Sequence, residues 1–161
     1  MTKGIYLECI EHGPESYRMC SSYYYMGDLF RKQGEIQKAK AFFSKIIQIW
    51  QKFIIENDFS GQSNQNEIDE IHYLEAEQHL REMLIFFEME FGQHHTVTAE
   101  CHFAYGLVSL KIGKDEQGYS SIQFAQTIFA NNLGEFDDKT KEVKDVLDEV
   151  EQRFNMNKQD Q

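Results

Sequence analysis

A repeated motif within residues 91–140 decides the fold, and this stretch reads FGQHHTVTAECHFAYGLVSLKIGKDEQGYSSIQFAQTIFANNLGEFDDKT. The pattern F-G-x-x-H-x-x-T at residues 91–98 returns 42 residues later as L-G-x-x-D-x-x-T at residues 133–140. A fixed period of about 20 to 50 residues is typical of stacked arrays, because one such unit cannot bury its apolar face alone. The sequence therefore predicts an array of repeated units that acts by binding.

Two amphipathic helices are predicted between the two copies of this motif. Apolar residues recur at helical spacing in both segments, namely Cys101, Ala104, Tyr105, Val108 and Ile112, then Tyr119, Ile122, Ala125, Ile128 and Phe129. Gly113 separates the two patterns and indicates a turn. Small residues at Gly106 and Gly118 lie where two helices joined by a short turn must approach closely. Residues 96–132 are thus predicted to form a helical hairpin.

A similar hairpin is predicted at residues 12–55, with Pro14 in the first turn of its first helix and Gly34 at its turn. Before it, Tyr6, Leu7 and Ile10 indicate the last turn of a helix whose partner is missing. An end of this kind leaves apolar surface in water, so we expect either a longer array or a neighbouring protein to cover it.

The remaining segments complete one predicted domain over residues 1–154. The polar residues 56–67 are expected to form a loop, and residues 68–90 a long helix of a degenerate middle repeat. Residues 139–154 carry an apolar stripe of Val143, Val146, Leu147, Val150 and Phe154 opposite a charged face, which is typical of a capping helix. Residues 155–161 are predicted to be a disordered tail.

Composition excludes several classes of protein. The 161 residues are 41% hydrophobic, which is enough for a continuous core without disulfides or metals. The three cysteines form no C-x-x-C pair, so neither a disulfide framework nor a cysteine zinc site is expected. A net charge of -11 disfavours nucleic-acid binding. No apolar run reaches the roughly 18 residues of a membrane span, so we expect an intracellular protein without membrane contact.

No catalytic or metal-binding constellation is readable, so we expect neither an enzyme nor a cofactor. His72 and His79 lie seven residues apart on one helical face, but a structural zinc site usually needs four ligands. His95 is interpreted as a turn residue at the entrance of a helix. Residues 23–25, three consecutive tyrosines, are interpreted as core residues more readily than as a ligand cage, because successive helical side chains point in different directions.

The hairpins resemble the tetratricopeptide repeat. The residues that carry this resemblance in the first hairpin are Met26, Gly27, Phe30, Gly34, Ala39 and Phe43. F-G-Q-H-H-T-V-T-A at residues 91–99 resembles the element that flanks the 42-residue repeats of kinesin light chains, with Thr96 in place of the usual proline. The resemblance implies an all-α fold of tetratricopeptide-repeat hairpins stacked as a short right-handed solenoid.

A longer string of motifs resembles one family more closely. It comprises G-P-E-S at residues 13–16, residues 24–30, K-I-I-Q-I-W at residues 45–50, E-A-E at residues 75–77 and residues 80–84. This string resembles the C-terminal repeats of the MYND-type zinc finger protein 12 family of motile cilia. The resemblance implies a scaffold subunit associated with axonemal inner-arm dynein, with another tetratricopeptide-repeat protein, dynein or microtubule-associated subunits as partners. It also implies a location in the cytoplasm, the cytoskeleton and the ciliary axoneme.

The alternative is a soluble adaptor that captures peptide segments of cargo or partner proteins in a concave groove. The first helix of each hairpin lines that groove in proteins of the tetratricopeptide-repeat type. The resemblance thus implies eight partner-binding residues: Tyr24, Asp28, Arg31, Lys32, Glu100, Phe103, Leu107 and Lys111. Phe103 and Leu107 are either partly exposed anchors for a partner or residues of the core, and the sequence leaves both interpretations open.

Overall fold

The chain is helical throughout the residues that its computed structural model describes, which are 2–59 and 70–159. No strand occurs in these residues, which confirms the prediction of an all-α protein. Seven α-helices lie within them: α1 (Thr2–His12), α2 (Cys20–Lys32), α3 (Ile36–Ile54), α4 (Glu70–Phe91), α5 (Thr96–Lys111), α6 (Asp115–Leu133) and α7 (Asp138–Gln159). None of these helices is long and apolar enough to cross a membrane.

Contacts group the chain into two compact units, Met1–Met83 and Leu84–Gln161. The boundary lies inside α4. The sequence predicts one domain over residues 1–154, and that extent stays a prediction. Each unit contains one complete helical hairpin, formed by α2 and α3 in the first unit and by α5 and α6 in the second.

Both hairpins close through the same C-terminal capping motif. In the first hairpin the amide of Glu35 donates to the carbonyl of Phe30 at 2.9 Å, and in the second the amide of Lys114 donates to that of Ser109 at 2.9 Å. The glycine before each donor has a left-handed backbone, with φ of 76° and 73°. This is the Schellman arrangement, which satisfies carbonyls at the helix end and favours glycine because it has no Cβ.

The hairpin of the first unit closes around an aromatic ring. A Cβ on Gly27 of α2 would collide with the ring of Phe43 on α3. Phe43 also stacks on Tyr24, with ring centroids 5.9 Å apart. The other large fully buried side chains of this unit are Met19, Ile46, Ile47, Ile54, Leu80 and Met83. Glycine is therefore required at position 27 by side-chain packing.

The hairpin of the second unit closes by direct approach of two backbones. A Cβ on Gly106 of α5 would lie 2.8 Å from the carbonyl oxygen of Gly118 on α6 and 2.5 Å from Cγ1 of Ile122. A Cβ on Gly118 would in turn lie 2.9 Å from the carbonyl oxygen of Gly106. The predicted close approach at these two glycines is confirmed.

One type of helix-to-helix joint occurs three times, between α1 and α2, between α4 and α5, and between α6 and α7. Each joint has a glycine with positive φ, namely Gly13 (81°), Gly92 (93°) and Gly134 (93°). The third residue after each glycine has a side chain that accepts a hydrogen bond from the backbone N–H two positions after itself. These acceptors, with their distances to the donor nitrogen, are Ser16 (3.3 Å), His95 (3.1 Å) and Asp137 (2.9 Å). These are N-caps, which satisfy amides that have no partner within the helix. The predicted role of His95 at the entrance of a helix is confirmed.

Several segment bounds differ from those that the sequence predicts. A π-helical turn, Ile55–Phe59, occupies the first part of the expected loop at 56–67, because its backbone continues directly from α3. Residues 60–69, which include the rest of that loop and the first two residues of the helix predicted at 68–90, lie outside the described residues. α7 continues to Gln159, so residues 155–159 of the predicted tail are helical. Residues 160 and 161 lie outside the described part.

Candidate partner-binding surface

The predicted binding residues of the first unit begin with Tyr24, which is buried. Its ring stacks on His79 of α4, with centroids 3.9 Å apart and an interplanar angle of 12°. Its hydroxyl donates a hydrogen bond to the Glu82 carboxylate. Burial, together with this bond, raises the pKa of Tyr24 above its usual range. Tyr24 therefore joins α2 to α4 and offers little surface to a partner.

The charged residues of this group form a local network on α2. The Asp28 carboxylate accepts from Arg31 Nη2 at 2.5 Å and pairs with Lys32 Nζ at 2.6 Å. Partial burial opposes ionisation of Asp28, but the hydrogen bonds from Lys32 and Arg31 lower its pKa below the usual value. Arg31 and Lys32 are exposed, although Asp28 neutralises part of their positive charge.

The structure decides between the two interpretations of Phe103 and Leu107 in the second unit, and partly exposed anchors are excluded. Phe103 is 0% exposed and Leu107 is 1% exposed. The close approach of α6 at Gly106 and Gly118 covers α5 from one side, and the Lys139 ammonium near the start of α7 lies 5.1 Å from the Phe103 ring centroid. Both residues belong to the core. Of the other two predicted residues, Glu100 is half-buried and Lys111 is exposed.

Part of the uncovered apolar surface of the first unit lies on α1, and Tyr25, Ile71 and Leu74 of other helices are exposed as well. Tyr6, Leu7 and Ile10 are 66%, 63% and 65% exposed. We call these three residues the α1 face. α1 is held against α2 by other side chains: the Ser22 hydroxyl donates to the Glu8 carboxylate at 2.5 Å, and Cys9 Sγ lies 3.7 Å from the Tyr23 hydroxyl. The expectation of apolar surface at this end of the chain is confirmed.

A cavity of about 240 Å³ lies within the first unit. Its walls come from α1, the 3-10 turn Tyr17–Met19, α2, α3 and α4, and they include Glu8, Tyr17, Arg18, Trp50, Glu75 and His79. The sequence predicts no binding site at this set of residues. Its members are brought together from five separate elements, and no spacing in the sequence indicates that they meet.

Histidines contribute to this cavity without forming a metal site. His72 and His79 both line it, as does His12. Within the described residues, no group of three or more His, Cys, Asp or Glu side chains is arranged to hold a metal ion. Burial lowers the pKa of His79 below its ordinary value of 6.5, against the opposing effect of Glu75 and Glu82, and this favours the neutral imidazole.

A second buried histidine, His102, lies in the second unit. Its ring meets Phe124 edge-on at 4.8 Å, and its Nε2 lies 3.5 Å from a carboxylate oxygen of Glu88. That distance exceeds the usual length of a hydrogen bond. Burial lowers the pKa of His102, while Glu88 acts in the opposite direction.

Comparison with known proteins adds no assignment, since no family model and no curated protein matches the chain.

Proposed function

We propose that this chain is a non-catalytic protein-interaction subunit whose tetratricopeptide-like hairpins stack as a short right-handed solenoid. We further propose that it serves as a scaffold in a ciliary axonemal complex associated with inner-arm dynein. The observation that carries the interaction role is the α1 face, three large apolar side chains that are about two-thirds exposed. Such surface is costly to leave in water and marks a site of association.

The position of the α1 face in the repeat supports this role. α1 ends in the same capped joint as α4 and α6, so it corresponds to the second helix of a hairpin. In a stacked array the second helix packs against the first helix of its own repeat. The α1 face is therefore suited to packing against another helix, and we propose another tetratricopeptide-repeat protein as one source of it.

The ciliary assignment rests on the motif string that includes G-P-E-S at residues 13–16 and E-A-E at residues 75–77. Two of these motifs have defined structural roles. Ser16 is the cap of the first joint, and Glu75 accepts a hydrogen bond from Ser21 at 2.8 Å. Locating a tagged copy in ciliated cells tests this assignment. We expect signal along the axoneme, and uniform cytoplasmic signal would contradict it.

Sedimentation velocity of the isolated chain tests the interaction role. We expect concentration-dependent self-association, because the α1 face has no other partner in that experiment. Leu7→Lys combined with Ile10→Lys should give a monomer, whereas Met89→Lys, an equally polar change at an exposed residue of α4, should leave association unchanged. A native chain that stays monomeric at every concentration would contradict the proposal.

The alternative is a peptide-capturing adaptor that uses the groove predicted from the sequence. Burial of Phe103 and Leu107 removes the two apolar anchors of that groove. What is left of it is the charged group of Arg31 and Lys32 in the first unit and Lys111 in the second. We therefore prefer the subunit role.

A further inference from the structure

The cavity of the first unit is sized for one side chain. Its volume of about 240 Å³ lies below the range of about 300–1,000 Å³ that holds drug-sized ligands. Its walls are helical and part of the packed unit, so a ligand would enter a largely preformed site.

The charges in the walls favour a positively charged occupant. Glu8 and Glu75 both line the cavity, and each accepts a hydrogen bond from a serine hydroxyl only. Neither forms an ion pair with any basic side chain in the described part of the chain. The one arginine in the walls, Arg18, lies over the Tyr17 ring with its guanidinium carbon 5.6 Å from the centroid. The walls therefore carry two carboxylates against one guanidinium.

Aromatic rings form another part of the walls. The Tyr17 ring lies 5.9 Å from that of Trp50 and 5.5 Å from that of His72. Aromatic faces attract cations through their quadrupole. The position of Arg18 over Tyr17 is an example of this attraction at the edge of the same cavity.

A histidine adds a possible acceptor to the walls. His79 is 8% exposed and lines the cavity. The neutral imidazole can accept a hydrogen bond from a donor in the cavity.

We propose that this cavity binds the ammonium or guanidinium group of a lysine or arginine side chain from a protein partner. The carboxylates of Glu75 and Glu8 neutralise the charge, Tyr17 and Trp50 pack against the alkyl stem and the cation, and His79 accepts a hydrogen bond. The site is separate from the α1 face. This proposal rests on the proposed function in one respect only, which is that the bound side chain belongs to a protein partner.

Trp50 is the only tryptophan of the chain, so its fluorescence and its indole N–H resonance report directly on the cavity. The probes are capped pentapeptides with Gly-Ser on the N-terminal side and Ser-Gly on the C-terminal side of a central Lys, Arg, Gln or Glu. We expect the Lys and Arg peptides to produce a saturable change in Trp50. The Gln and Glu peptides should produce none.

Charge-removing variants make the test specific. Glu75→Gln should weaken binding of the Lys peptide by about tenfold, the effect of losing one charge-assisted hydrogen bond. Glu8→Gln should also weaken binding of the Lys peptide. Because Glu8 is the more exposed of the two wall residues, this second variant carries little risk to folding. Glu90→Gln is the matched control, because Glu90 lies on the same helix as Glu75 but does not line the cavity.

Three results would overturn the proposal: no response of Trp50 to the Lys and Arg peptides, equal binding of the Gln or Glu peptide, or unchanged binding in both Glu75→Gln and Glu8→Gln. These outcomes are distinguishable from failure of the proposed function through Glu75→Gln, because Glu75 lies on α4 and not on the helix that carries the α1 face. Self-association of Glu75→Gln should therefore be the same as that of the native chain.

Discussion

The α2–α3 hairpin and the α5–α6 hairpin share one register but use it differently. Corresponding residues lie 79 positions apart, as in Gly27 and Gly106. The same offset places Asp28, which is half-buried and paired with Arg31 and Lys32, at the position of the fully buried Leu107. A shared register thus sets the path of the backbone, while the surroundings of each hairpin decide whether a position is core or surface.

The two hairpins also differ in the contact where their helices approach most closely. In the first hairpin the space over Gly27 is filled by the ring of Phe43, whereas in the second the space over Gly106 is filled by the Ile122 side chain together with backbone of α6. Ala39 of the first hairpin corresponds to Gly118 of the second. The first hairpin accommodates the methyl group of Ala39, whereas a methyl group at position 118 would lie 2.9 Å from the carbonyl oxygen of Gly106. The second hairpin is therefore the tighter of the two.

The largest loss of stability is expected at the register position occupied by Asp28 in the first hairpin and Leu107 in the second, when each residue is replaced by the other. Leu107→Asp should cost at least about 2–5 kcal/mol, the cost of truncating a core leucine, and burial of a carboxylate adds to it. Asp28→Leu should cost at most about 1 kcal/mol, because it removes only partly exposed ion pairs. Urea unfolding followed by circular dichroism measures both. A Leu107→Asp protein with native stability would show that the position is not core.

The cost in stability of replacing a glycine by alanine is expected to depend on which atoms occupy the space that the new Cβ would need. Gly106→Ala should cost about 1–3 kcal/mol through overpacking, and Gly27→Ala should cost less, because a ring can shift more readily than a backbone. Gly4→Ala is the control, since a Cβ there meets nothing within 4 Å and alanine favours the helix. The free energies of unfolding of the three variants provide the measurement. Equal losses at positions 27 and 106 would remove the distinction between the hairpins.

The buried histidine of each unit predicts a dependence of stability on pH. Burial lowers the folded-state pKa of His79 and His102 below the ordinary value of 6.5, so the unfolded chain binds protons first as pH falls. Stability should therefore be complete above about pH 6.5 and decrease below it, by at most about 1.4 kcal/mol per pH unit for each histidine.

Unfolding at pH 7.0 and pH 5.5 measures this dependence. His79→Gln and His102→Gln should each make the loss between the two pH values smaller, whereas His94→Gln, at an exposed position, serves as the control. A stability that rises on acidification would contradict the assignment of neutral, buried imidazoles.

The smallest effects are expected at the caps of the joints. Ser16→Ala in the first unit and His95→Ala in the second each remove one side-chain acceptor at a helix N-terminus. Each should lower the free energy of unfolding by about 0.5–2 kcal/mol. Gln37→Ala, at an exposed position of α3 away from the joints, is the control. If neither cap variant differs from it, the joints are held by packing alone.

The sequence by itself determined the features that depend on neighbours along the chain. The hairpin at 96–132, the turn at Gly113 and the entry of α5 at His95 follow from helical periodicity and from the backbone preferences of glycine and capping residues, so each could be predicted. The joint at Gly13 and Ser16 has the same geometry, but its residues match the 42-residue motif only at the glycine. The sequence alone therefore does not reveal this joint as a further copy of the motif.

Only the tertiary structure decided which side of each helix meets water and which residues meet each other. Leu107 and Asp28 occupy one register position, and the sequence left open whether Leu107 is exposed or belongs to the core. Burial depends on the helices that cover a position, and α5 lies against a closer neighbour than α2 does. The cavity around Trp50, Glu75 and His79 depends on packing in the same way, because the elements that form it are far apart in the chain and leave no local pattern.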